Sequence, residues 1–358
     1  MKASVLNRLV CPMCLSSPEL EGLRWEHDEI IEGFLHCRCG TNYPIIQGVP
    51  RMLPPQLLGA LVNDYPEFFR AHAGRILGGE VSSPQGRIAT LKRKTQQAFG
   101  YEWTWAADYH AVNFADWLPT GFEARTLFAN RVGLEIGCGA GRHSALTAGL
   151  AREHFAVDLS RAVDAAFART RTLGNCHVVQ ADAFHLPFRP GAFDYVFCLG
   201  VLQHLPDPEA GFYALAEQPR TRGILLVNVY QASRPAVLFM LELVRKITTR
   251  LPHGILKGVS IGAGCVDYGL LIAPWRRVSS TTLGRAMRPF VPERIREYAK
   301  HDFHTCVTDW FDRLSCPVKK HYKSDDLRRW YERAGYSEVT VTPYWKAFWN
   351  GYGQRAPA

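Results

Sequence analysis

The feature that constrains this chain most is a short apolar run that ends near a carboxylate and leads into three alternate glycines. Residues 131–142 read Arg-Val-Gly-Leu-Glu-Ile-Gly-Cys-Gly-Ala-Gly-Arg, so Glu135 precedes Gly137, Gly139 and Gly141. The apolar run predicts a β-strand, and the residues after the glycines can open a helix. Glycine lets the backbone turn tightly and approach a ligand closely, because no Cβ stands in the way. The pattern is typical of a nucleotide-binding turn, although a glycine-rich turn in any α/β protein looks the same locally.

Further apolar runs downstream are placed like the first. One ends in Asp158, which lies 23 residues after Glu135, and another precedes Asp182. A fourth run leads to Leu199 and a fifth covers 223–230. Strands that alternate with helical stretches predict a parallel, doubly wound sheet, in which ligands bind at the carboxyl ends of the strands. An acid at the position of Asp158 can accept hydrogen bonds from both ribose hydroxyls of an adenosine.

The order of acid and glycines, E-x-G-x-G-x-G, resembles motif I of class I S-adenosylmethionine (SAM) methyltransferases and differs from the G-x-G-x-x-G turn of dinucleotide folds. Residues 201–207, Val-Leu-Gln-His-Leu-Pro-Asp, are similar to the segment after the fourth strand in methyltransferases of the methyltransferase-11 or UbiE-like type. The resemblance implies an α/β fold with a Rossmann-like, seven-stranded methyltransferase sheet that binds SAM. The Arg-Thr-Arg-Gly turn at 220–223 departs from the Pro-Gly-Gly type of turn that is usual in the family.

The resemblance also assigns cofactor contacts to individual residues. In the family, an Asp at the position of Asp182 meets the adenine amino group, and Ala183 gives a backbone contact. Residues 99–103, Phe-Gly-Tyr-Glu-Trp, resemble an F-G-x-x-W signature that lies over cofactor and substrate in some small-molecule methyltransferases. Packing of these aromatic residues between domains is the alternative, and Gly100 should break any helix there. The residues predicted to bind SAM are Tyr101, Glu135, Gly137, Gly139, Gly141, Asp158, Leu159, Asp182, Ala183 and Leu199.

Four of the ten cysteines cluster near the N-terminus with metal-like spacing, namely Cys11, Cys14, Cys37 and Cys39. Two pairs of thiolates can complete a tetrahedral S4 site, which suits a structural Zn²⁺ and leaves no open position for catalysis. Four reduced, unliganded thiols are the alternative. Residues 5–53 resemble the Trm112-like zinc-ribbon module, which in that family is structural or contacts a methyltransferase partner. Such a small module can barely bury a core, so a metal would replace one.

These signals divide the chain into five predicted segments. They are a Trm112-like zinc ribbon at 1–53, a linker and aromatic lid segment at 54–110, a SAM-binding Rossmann-like core at 111–230, a helical substrate-cap insertion at 231–320, and a C-terminal helix with the final strands of the core at 321–358. The basic run at 91–94 is interpreted as a solvated face. The insertion is rich in apolar residues, which suggests a pocket for a partly apolar molecule. Helices packed on each other or in a homodimer interface explain it equally well.

Composition restricts partners only weakly. An apolar content of 47% supports a sizeable core, and a net charge of +9 permits small anionic metabolites, nucleic acid or acidic lipid. The chain starts without an apolar stretch of signal-peptide length. The apolar stretch 255–275 carries Lys257, Asp267 and several glycines, so we expect it to be buried or lid-forming and to span no membrane. Clustered cysteines and scattered single ones favour a reducing cytoplasm.

The implied reaction is transfer of the SAM methyl group to a small-molecule acceptor, for example a secondary metabolite of natural product biosynthesis. Methyl transfer depends mainly on positioning, although a base helps when the acceptor is a hydroxyl. His204 follows the fourth strand and is the first candidate base, with a structural hydrogen bond as its alternative. Other candidates are His304 and Tyr322, and also His301 and His321.

Two other functions compete with this interpretation. An RNA or protein methyltransferase could use the ribbon and the positive charge to hold a polymer. Against it, Cys198-Leu-Gly-Val201 stands where amino-methylating nucleic-acid enzymes often have an N-P-P-Y tetrapeptide. A non-enzymatic scaffold with the same fold is the third hypothesis, and the acids at all three cofactor positions argue against it. Nucleic acid is therefore a less favoured partner than a small molecule.

Overall fold

The computed structural model describes residues 1–72, 86–106, 114–233, 235–344 and 347–357. Within these residues, eleven β-strands form one sheet with the order β1-β2-β3-β4-β7-β6-β5-β8-β9-β11-β10. The strands are β1 (Glu19–Glu26), β2 (Glu29–His36), β3 (Asn42–Ile46), β4 (Val49–Met52), β5 (Val132–Ile136), β6 (Glu153–Asp158), β7 (Cys176–Ala181), β8 (Phe193–Cys198), β9 (Pro219–Tyr230), β10 (Tyr336–Tyr344) and β11 (Phe348–Arg355).

Helices connect most of the later strands. In the described part of the chain they are α1 (Pro55–Asp64), α2 (Pro66–Ala71), α3 (Arg87–Trp105), α4 (Ala124–Phe128), α5 (Arg142–Ala148), α6 (Val163–Thr170), α7 (Pro208–Ala216), α8 (Pro235–Thr248), α9 (His253–Asp267), α10 (Ala273–Val278), α11 (Thr282–Met287), α12 (Glu293–Tyr298), α13 (Phe303–Ser315) and α14 (Ser324–Arg333). A short π-helical segment, Tyr268–Ile272, joins α9 to α10.

The sheet contains the predicted parallel, doubly wound core. Strands β7, β6, β5, β8 and β9 run parallel, and β11 and β10 complete this part of the sheet as an antiparallel pair. Each central strand is apolar and buried over nearly its whole length, as expected for strands that are covered on both faces. The predicted α/β methyltransferase fold is confirmed, but the prediction of a seven-stranded sheet is wrong for the sheet as a whole.

The four additional strands come from the cysteine-bearing N-terminal segment. Strands β1 to β4 form an antiparallel meander, and β4 then pairs in parallel with β7 through Arg51 and Met52. The Arg51 side chain is fully buried and donates hydrogen bonds to Gln180 Oε1 at 3.1 Å and to Asp164 Oδ1 at 2.6 Å. A buried guanidinium is costly unless its donors find partners. This arginine therefore fixes β4 to the edge of the core.

Helix α3 corrects one sequence expectation. It continues without interruption from Arg87 to Trp105, so Gly100 does not break it. A Cβ atom at Gly100 would lie 3.3 Å from the Arg161 side chain and 3.5 Å from Ser160 Cβ. The glycine therefore serves the close approach of the helix to a neighbouring turn, and this packing outweighs the low intrinsic helix propensity of glycine.

The chain divides into two compact units. The first contains the whole sheet, α1 and α2, most of α3, α4 to α7, and α14. The second comprises the end of α3 and Ser233–Pro317, which holds α8 to α13. In this second unit, α9 packs on α13, and Gly264 lies against Val307. By length and composition alone, the continuous helix His253–Val278 is apolar enough to cross a membrane, but only 28% of its most apolar window is buried. Of the two expectations for 255–275, burial is therefore wrong for much of this stretch, and a role as a lid stays a prediction.

Candidate functional site

The glycine turn lies between β5 and α5, at the carboxyl end of the sheet. Gly137, Gly139 and Gly141 all have positive φ angles, of 81°, 52° and 74°. A Cβ atom at Gly137 would lie 2.1 Å from Val201 Cγ2, so a side chain has no room there. The Gly137 N–H donates to Val157 O at 2.7 Å, which fastens the turn to the end of β6. Glycine is therefore required by both conformation and space.

Asp158 closes β6 beside this turn. Its Oδ2 accepts from the Gly139 N–H at 2.9 Å, and its Oδ1 accepts from the Ser160 N–H at 2.8 Å and from the Ser160 hydroxyl at 2.7 Å. Burial raises the pKa of this carboxyl group, and the donors from Ser160 and Gly139 offset only part of that effect. The carboxylate thus joins the glycine turn after β5 to the end of β6.

Asp182 follows β7 at the neighbouring strand end and is almost fully buried. Lys92 Nζ donates to its Oδ2 at 2.5 Å, and His185 Nδ1 lies 2.9 Å from the same oxygen. Burial alone would raise the pKa of Asp182, but the bond from His185 and the Lys92 charge outweigh it, so the pKa is lowered. Lys92 was expected on a solvated face; that expectation is wrong, since its side chain is only 11% exposed.

Helix α3 carries Lys92 across the carboxyl ends of the parallel strands. One turn further on, Gln96 Nε2 donates to Leu159 O at 3.1 Å. Gly100 then approaches the turn at Ser160, and Trp103 lies against Gly139. Residues 92, 96, 100 and 103 are spaced by three or four, so they share one face of the helix. This face meets the two strand-end acids and the glycine turn in succession.

Among the aromatic residues of α3, Trp103 lies beside the glycine turn, whereas the contact with the cofactor was predicted for Tyr101. The Trp103 ring, rather than Tyr101, packs on Gly139, where a Cβ would lie 3.0 Å from Trp103 Cε2. The Arg142 guanidinium lies 5.8 Å from the ring centres of both Trp103 and Trp117. Tyr101 is half-buried on the same helix. Its role at the cofactor site remains a prediction.

Glu135 forms part of a buried polar network beneath the glycine turn. Its Oε2 accepts from the Ser144 hydroxyl at 2.5 Å and lies 3.5 Å from His154 Nε2. His143 Nδ1 lies 3.8 Å from Oε1, and burial lowers the pKa of His143 well below its ordinary value. The predicted cofactor residue Glu135 is therefore placed to orient α5 through Ser144, and a direct contact with a ligand remains a prediction.

Three further predicted residues belong to the same strand ends. Leu159 offers its carbonyl oxygen to both Gln96 and Gln180. Ala183 and Leu199 are buried directly after β7 and β8. Because the carboxyl ends of parallel strands meet at one edge of a sheet, the topology brings all of the predicted strand-end residues together.

His204 lies in a short helical turn after β8 and is almost fully buried. Its Nδ1 lies 3.0 Å from Val318 O. A carbonyl oxygen can only accept, so Nδ1 is the protonated nitrogen and, in the neutral ring, the lone pair is on Nε2. The ring packs edge-on against Phe99 and Tyr230. The structural hydrogen bond expected as the alternative is thus present, and it fixes the tautomer that a base at Nε2 requires.

The other two candidate bases have different surroundings. Burial raises the pKa of Tyr322, whose ring packs on Trp330 next to the end of β9. A raised pKa keeps the phenol protonated at neutral pH, which makes it a poor base. His304 belongs to the second compact unit, where its ring lies 5.5 Å from the Trp105 ring. Neither residue has a contact that tests its predicted catalytic role.

The four N-terminal cysteines form a compact sulfur cluster. All four sulfur atoms lie within 4.8 Å of one another, and the Cys11–Cys39 and Cys14–Cys37 distances are 3.7 and 3.4 Å. Tetrahedral Zn–S bonds of about 2.3 Å separate neighbouring sulfurs by about 3.8 Å, so the cluster has the size of a metal site. Hydrogen bonds with Ser16 lower the pKa of Cys14 to about 6, whereas burial raises the pKa of Cys37 to about 12.

A comparison with known protein families shows which family the residues of the strand-end site resemble. A family model described as a methyltransferase domain matches residues 134–227, from β5 to β9. This part of the chain is a methyltransferase domain. The matched region contains the glycine turn, Asp158, Asp182 and Leu199, whereas α3 and the sulfur cluster lie outside it.

Curated proteins are similar to parts of this chain. The chain is 28% identical to an uncharacterised protein of Synechococcus sp., over 66% of this chain and 52% of that protein, so it spans about half of that relative. It is 29% identical to a ubiquinone biosynthesis O-methyltransferase of Xanthomonas euvesicatoria, over 44% of this chain and 75% of that protein. It is 36% identical to a tRNA U34 carboxymethyltransferase of Shewanella pealeana, over 28% of this chain and 32% of that protein.

Solved structures resemble the methyltransferase domain only distantly. The 1,6-didemethyltoxoflavin-N1-methyltransferase of Burkholderia thailandensis has a TM-score of 0.44 at 11% identity and covers 77% of this chain and 93% of its own. The complex of the Haloferax volcanii Trm112 activator with a putative methyltransferase has a TM-score of 0.39 at 11% identity, with 76% of this chain and 100% of that chain covered. At these values the similarity says nothing about substrate or partner.

Proposed function

We propose that this chain is a SAM-dependent methyltransferase that transfers a methyl group to a small, partly apolar acceptor. The observation that carries the proposal is the juxtaposition of Asp158 and Asp182 at neighbouring strand ends, beside the glycine turn. The methyltransferase domain match over 134–227 supports the reaction, and relatives named ubiquinone biosynthesis O-methyltransferases support a small-molecule acceptor.

The two strand-end carboxylates fit SAM, because the ribose hydroxyls and the adenine amino group are hydrogen-bond donors. When bound, SAM supplies a methyl group that its sulfonium makes electrophilic. Asp158 is the acceptor for the ribose hydroxyls, and Asp182 with the Ala183 backbone binds the adenine edge. The remaining predicted cofactor contacts are Tyr101, Glu135, Gly137, Gly139, Gly141, Leu159 and Leu199. Since both oxygens of Asp182 already accept bonds from Lys92, His185 or the Phe184 N–H, the adenine amino group must share or replace one of these donors.

His204 is the proposed general base for a hydroxyl acceptor. Its Nδ1–H is held by Val318 O, so the neutral ring presents Nε2 as the proton acceptor. His304 and Tyr322 are the alternative bases. Positioning of the acceptor supplies much of the rate in a methyl transfer, so loss of the base should lower turnover without preventing SAM binding. A variant with His204→Gln should keep its SAM affinity and lose activity relative to the wild type most strongly at high pH, where the wild-type imidazole is neutral and can accept the proton.

We further propose that the sulfur cluster holds one structural Zn²⁺. The ligands Cys11, Cys14, Cys37 and Cys39 offer four soft sulfur atoms within 4.8 Å of one another, which favours Zn²⁺ over hard cations. Four protein ligands leave no site for a substrate, so this metal would stabilise the fold of the ribbon and take no part in methyl transfer.

The substrate class is tested by methyl transfer from labelled SAM to fractions of a cell extract. Label in the organic-soluble fraction supports the small-molecule acceptor and leads to identification of the product by mass spectrometry. Label in RNA or protein would replace this proposal with the polymer hypothesis. The Asp158→Ala variant is the control, because its SAM affinity should be at least 100-fold lower. Label that it still transfers does not come from this site.

Lys92 offers a separate test of the cofactor site. Replacing Lys92 with methionine should tighten SAM binding by about three- to tenfold, because the Asp182 carboxylate then loses a competing donor. The same change should raise the pKa of Asp182, because the Lys92 charge helps to lower it. The lowered pKa stabilises the fold at pH values above the pKa that Asp182 has in the unfolded chain. This stabilisation is lost as the pH falls through the pKa of Asp182 in the folded protein. The acid limb of the stability curve should therefore move to higher pH in K92M.

Titration calorimetry and thermal unfolding across pH would measure both effects of K92M. Lys94 lies on the same helix with an exposed side chain, so K94M removes an equal charge without touching Asp182. Weaker SAM binding in K92M with an unchanged K94M would show that Lys92 supports the cofactor instead of competing with it.

A further inference from the structure

The second compact unit exposes an unusual amount of apolar surface. Helix α8 presents Val237, Met240, Val244 and Ile247 at helical spacing, each at least 41% exposed. Helix α9 and its continuation present Ile255, Val259, Val266 and Leu270 along one face, each at least 45% exposed. Among the described residues, none lies within 4 Å of a Cβ atom added at Gly254, Gly258 or Gly262. A large exposed apolar surface marks a site of interaction with a protein or a membrane.

The segment around α11 combines apolar and basic side chains most clearly. Leu283, Met287 and Phe290 are 63%, 43% and 87% exposed and follow one another at helical spacing. Arg285 and Arg288 are exposed between them. We refer to residues 283–290 together with the exposed faces of α8 and α9 as the apolar–basic surface.

Charge identifies the kind of partner. Residues 235–290 contain eight Lys or Arg and two Asp or Glu, a net charge of +6 out of +9 for the whole chain. Both acids are already engaged, since Glu242 pairs with Arg245 and Asp267 pairs with Arg294. Two copies of so basic a surface would repel each other. Anionic lipid headgroups beside acyl chains complement both its cations and its apolar side chains.

The helix His253–Val278 is bound to its own unit along the opposite face, which argues for contact with one leaflet. Asp267 on this helix accepts hydrogen bonds from Arg294 Nη1 at 2.9 Å and from Trp310 Nε1 at 2.9 Å. Gly264 packs on Val307 so closely that a Cβ there would lie 2.7 Å from Val307 Cγ2. A membrane-spanning helix would have to give up these contacts, whereas a helix lying in the interface keeps them.

We propose that the apolar–basic surface docks this protein on an anionic membrane surface, with apolar side chains such as Leu270 and Phe290 in the headgroup and acyl boundary and the arginines on lipid phosphates. The proposal does not depend on methyl transfer, because it rests on the exposure and charge of the second unit. It adds a location at which an apolar acceptor would be met.

Flotation of the full-length protein with phosphatidylcholine vesicles, with and without phosphatidylglycerol, tests the proposal. Binding should require phosphatidylglycerol and weaken strongly when NaCl is raised to about 0.5 M. R285E/R288E and L270E/F290E should each reduce vesicle partition about tenfold or more. R152E/R328E makes an equal charge change at exposed positions of the first unit, and I88E places a charge on another exposed apolar residue; both should bind like the wild type.

Thermal unfolding and SAM affinity of every variant separate surface effects from misfolding, and both should equal those of the wild type. Absence of vesicle binding, or binding that the R285E/R288E and L270E/F290E variants retain, would overturn the proposal. Sedimentation velocity measures the oligomeric state, because a second copy of the chain is the competing partner for this surface. A stable dimer that L270E/F290E dissociates, without vesicle binding, would assign the surface to a second copy of the chain and reject the membrane.

Discussion

Replacing Asp158 with alanine should lower the affinity for SAM at least 100-fold. The carboxylate is the proposed acceptor for two ribose hydroxyls, and hydrogen bonds to a charged group contribute about 1.5–3 kcal/mol each. The change also removes the bonds that Asp158 accepts from Gly139 and Ser160, so the glycine turn loses its link to β6. Titration calorimetry with SAM and with S-adenosylhomocysteine would measure the loss.

Asp158→Asn provides the matched variant, because it keeps the shape and removes the charge. Burial raises the pKa of Asp158, which means that the folded state disfavours the ionised group. A neutral amide should therefore leave the melting temperature within a few degrees of the wild type while SAM binding falls. The exposed Asp325 at the start of α14 supplies a neutral control, D325A. Wild-type SAM affinity in both D158A and D158N would refute the proposed role.

Replacing Cys11 with serine should release the bound zinc and lower the melting temperature by about 10 °C or more. Structural zinc contributes directly to folding free energy, and the buried Cys11 is one of its four proposed ligands. The effect should reach the core, since β4 pairs with β7 and Arg51 ties the two segments together. Metal analysis by mass spectrometry and thermal unfolding with and without a chelator would measure it.

Cys265→Ser is the matched control for the cysteine experiment, because Cys265 is an exposed thiol in the second unit. It should keep the metal content and the melting temperature of the wild type. A wild-type protein that is purified from zinc-containing medium without metal, and that melts at the same temperature as C11S, would show that the four thiols are unliganded.

The methyltransferase fold could be predicted because each of its signals is a short stretch of neighbouring residues. Each of β5, β6, β7 and β8 is an apolar run followed by an acid or a turn, and parallel topology alone then gathers Glu135, Asp158, Asp182 and Leu199 at one edge. The structure confirms that fold and adds the reason for the glycines, most clearly the contact of Gly137 with Val201. The binding roles of these residues stay predictions until SAM binding is measured.

What the sequence missed depends on contacts between distant residues. Lys92 stands in a basic run, and its partner Asp182 lies 90 residues away, so no spacing rule could connect them. The pairing of Arg51 with Gln180 likewise turns a seven-stranded sheet into one of eleven. The prediction that Gly100 breaks the helix was wrong, because tertiary packing of α3 outweighed the low helix propensity of glycine.

Because β4 pairs with β7, the N-terminal strands and the core share one sheet, and this changes which strands form its edges. With β4 paired to β7, the parallel core no longer ends in exposed backbone N–H and C=O groups on that side, and the free edges of the sheet are β1 and β10. Strand β1 carries Glu19, Glu21, Arg24 and Glu26 and has an irregular register, while β10 contains Pro343 and a register shift of its own. Charges, proline and bulges on edge strands discourage pairing with another chain. The N-terminal segment thus also protects the molecule from aggregation through strand addition.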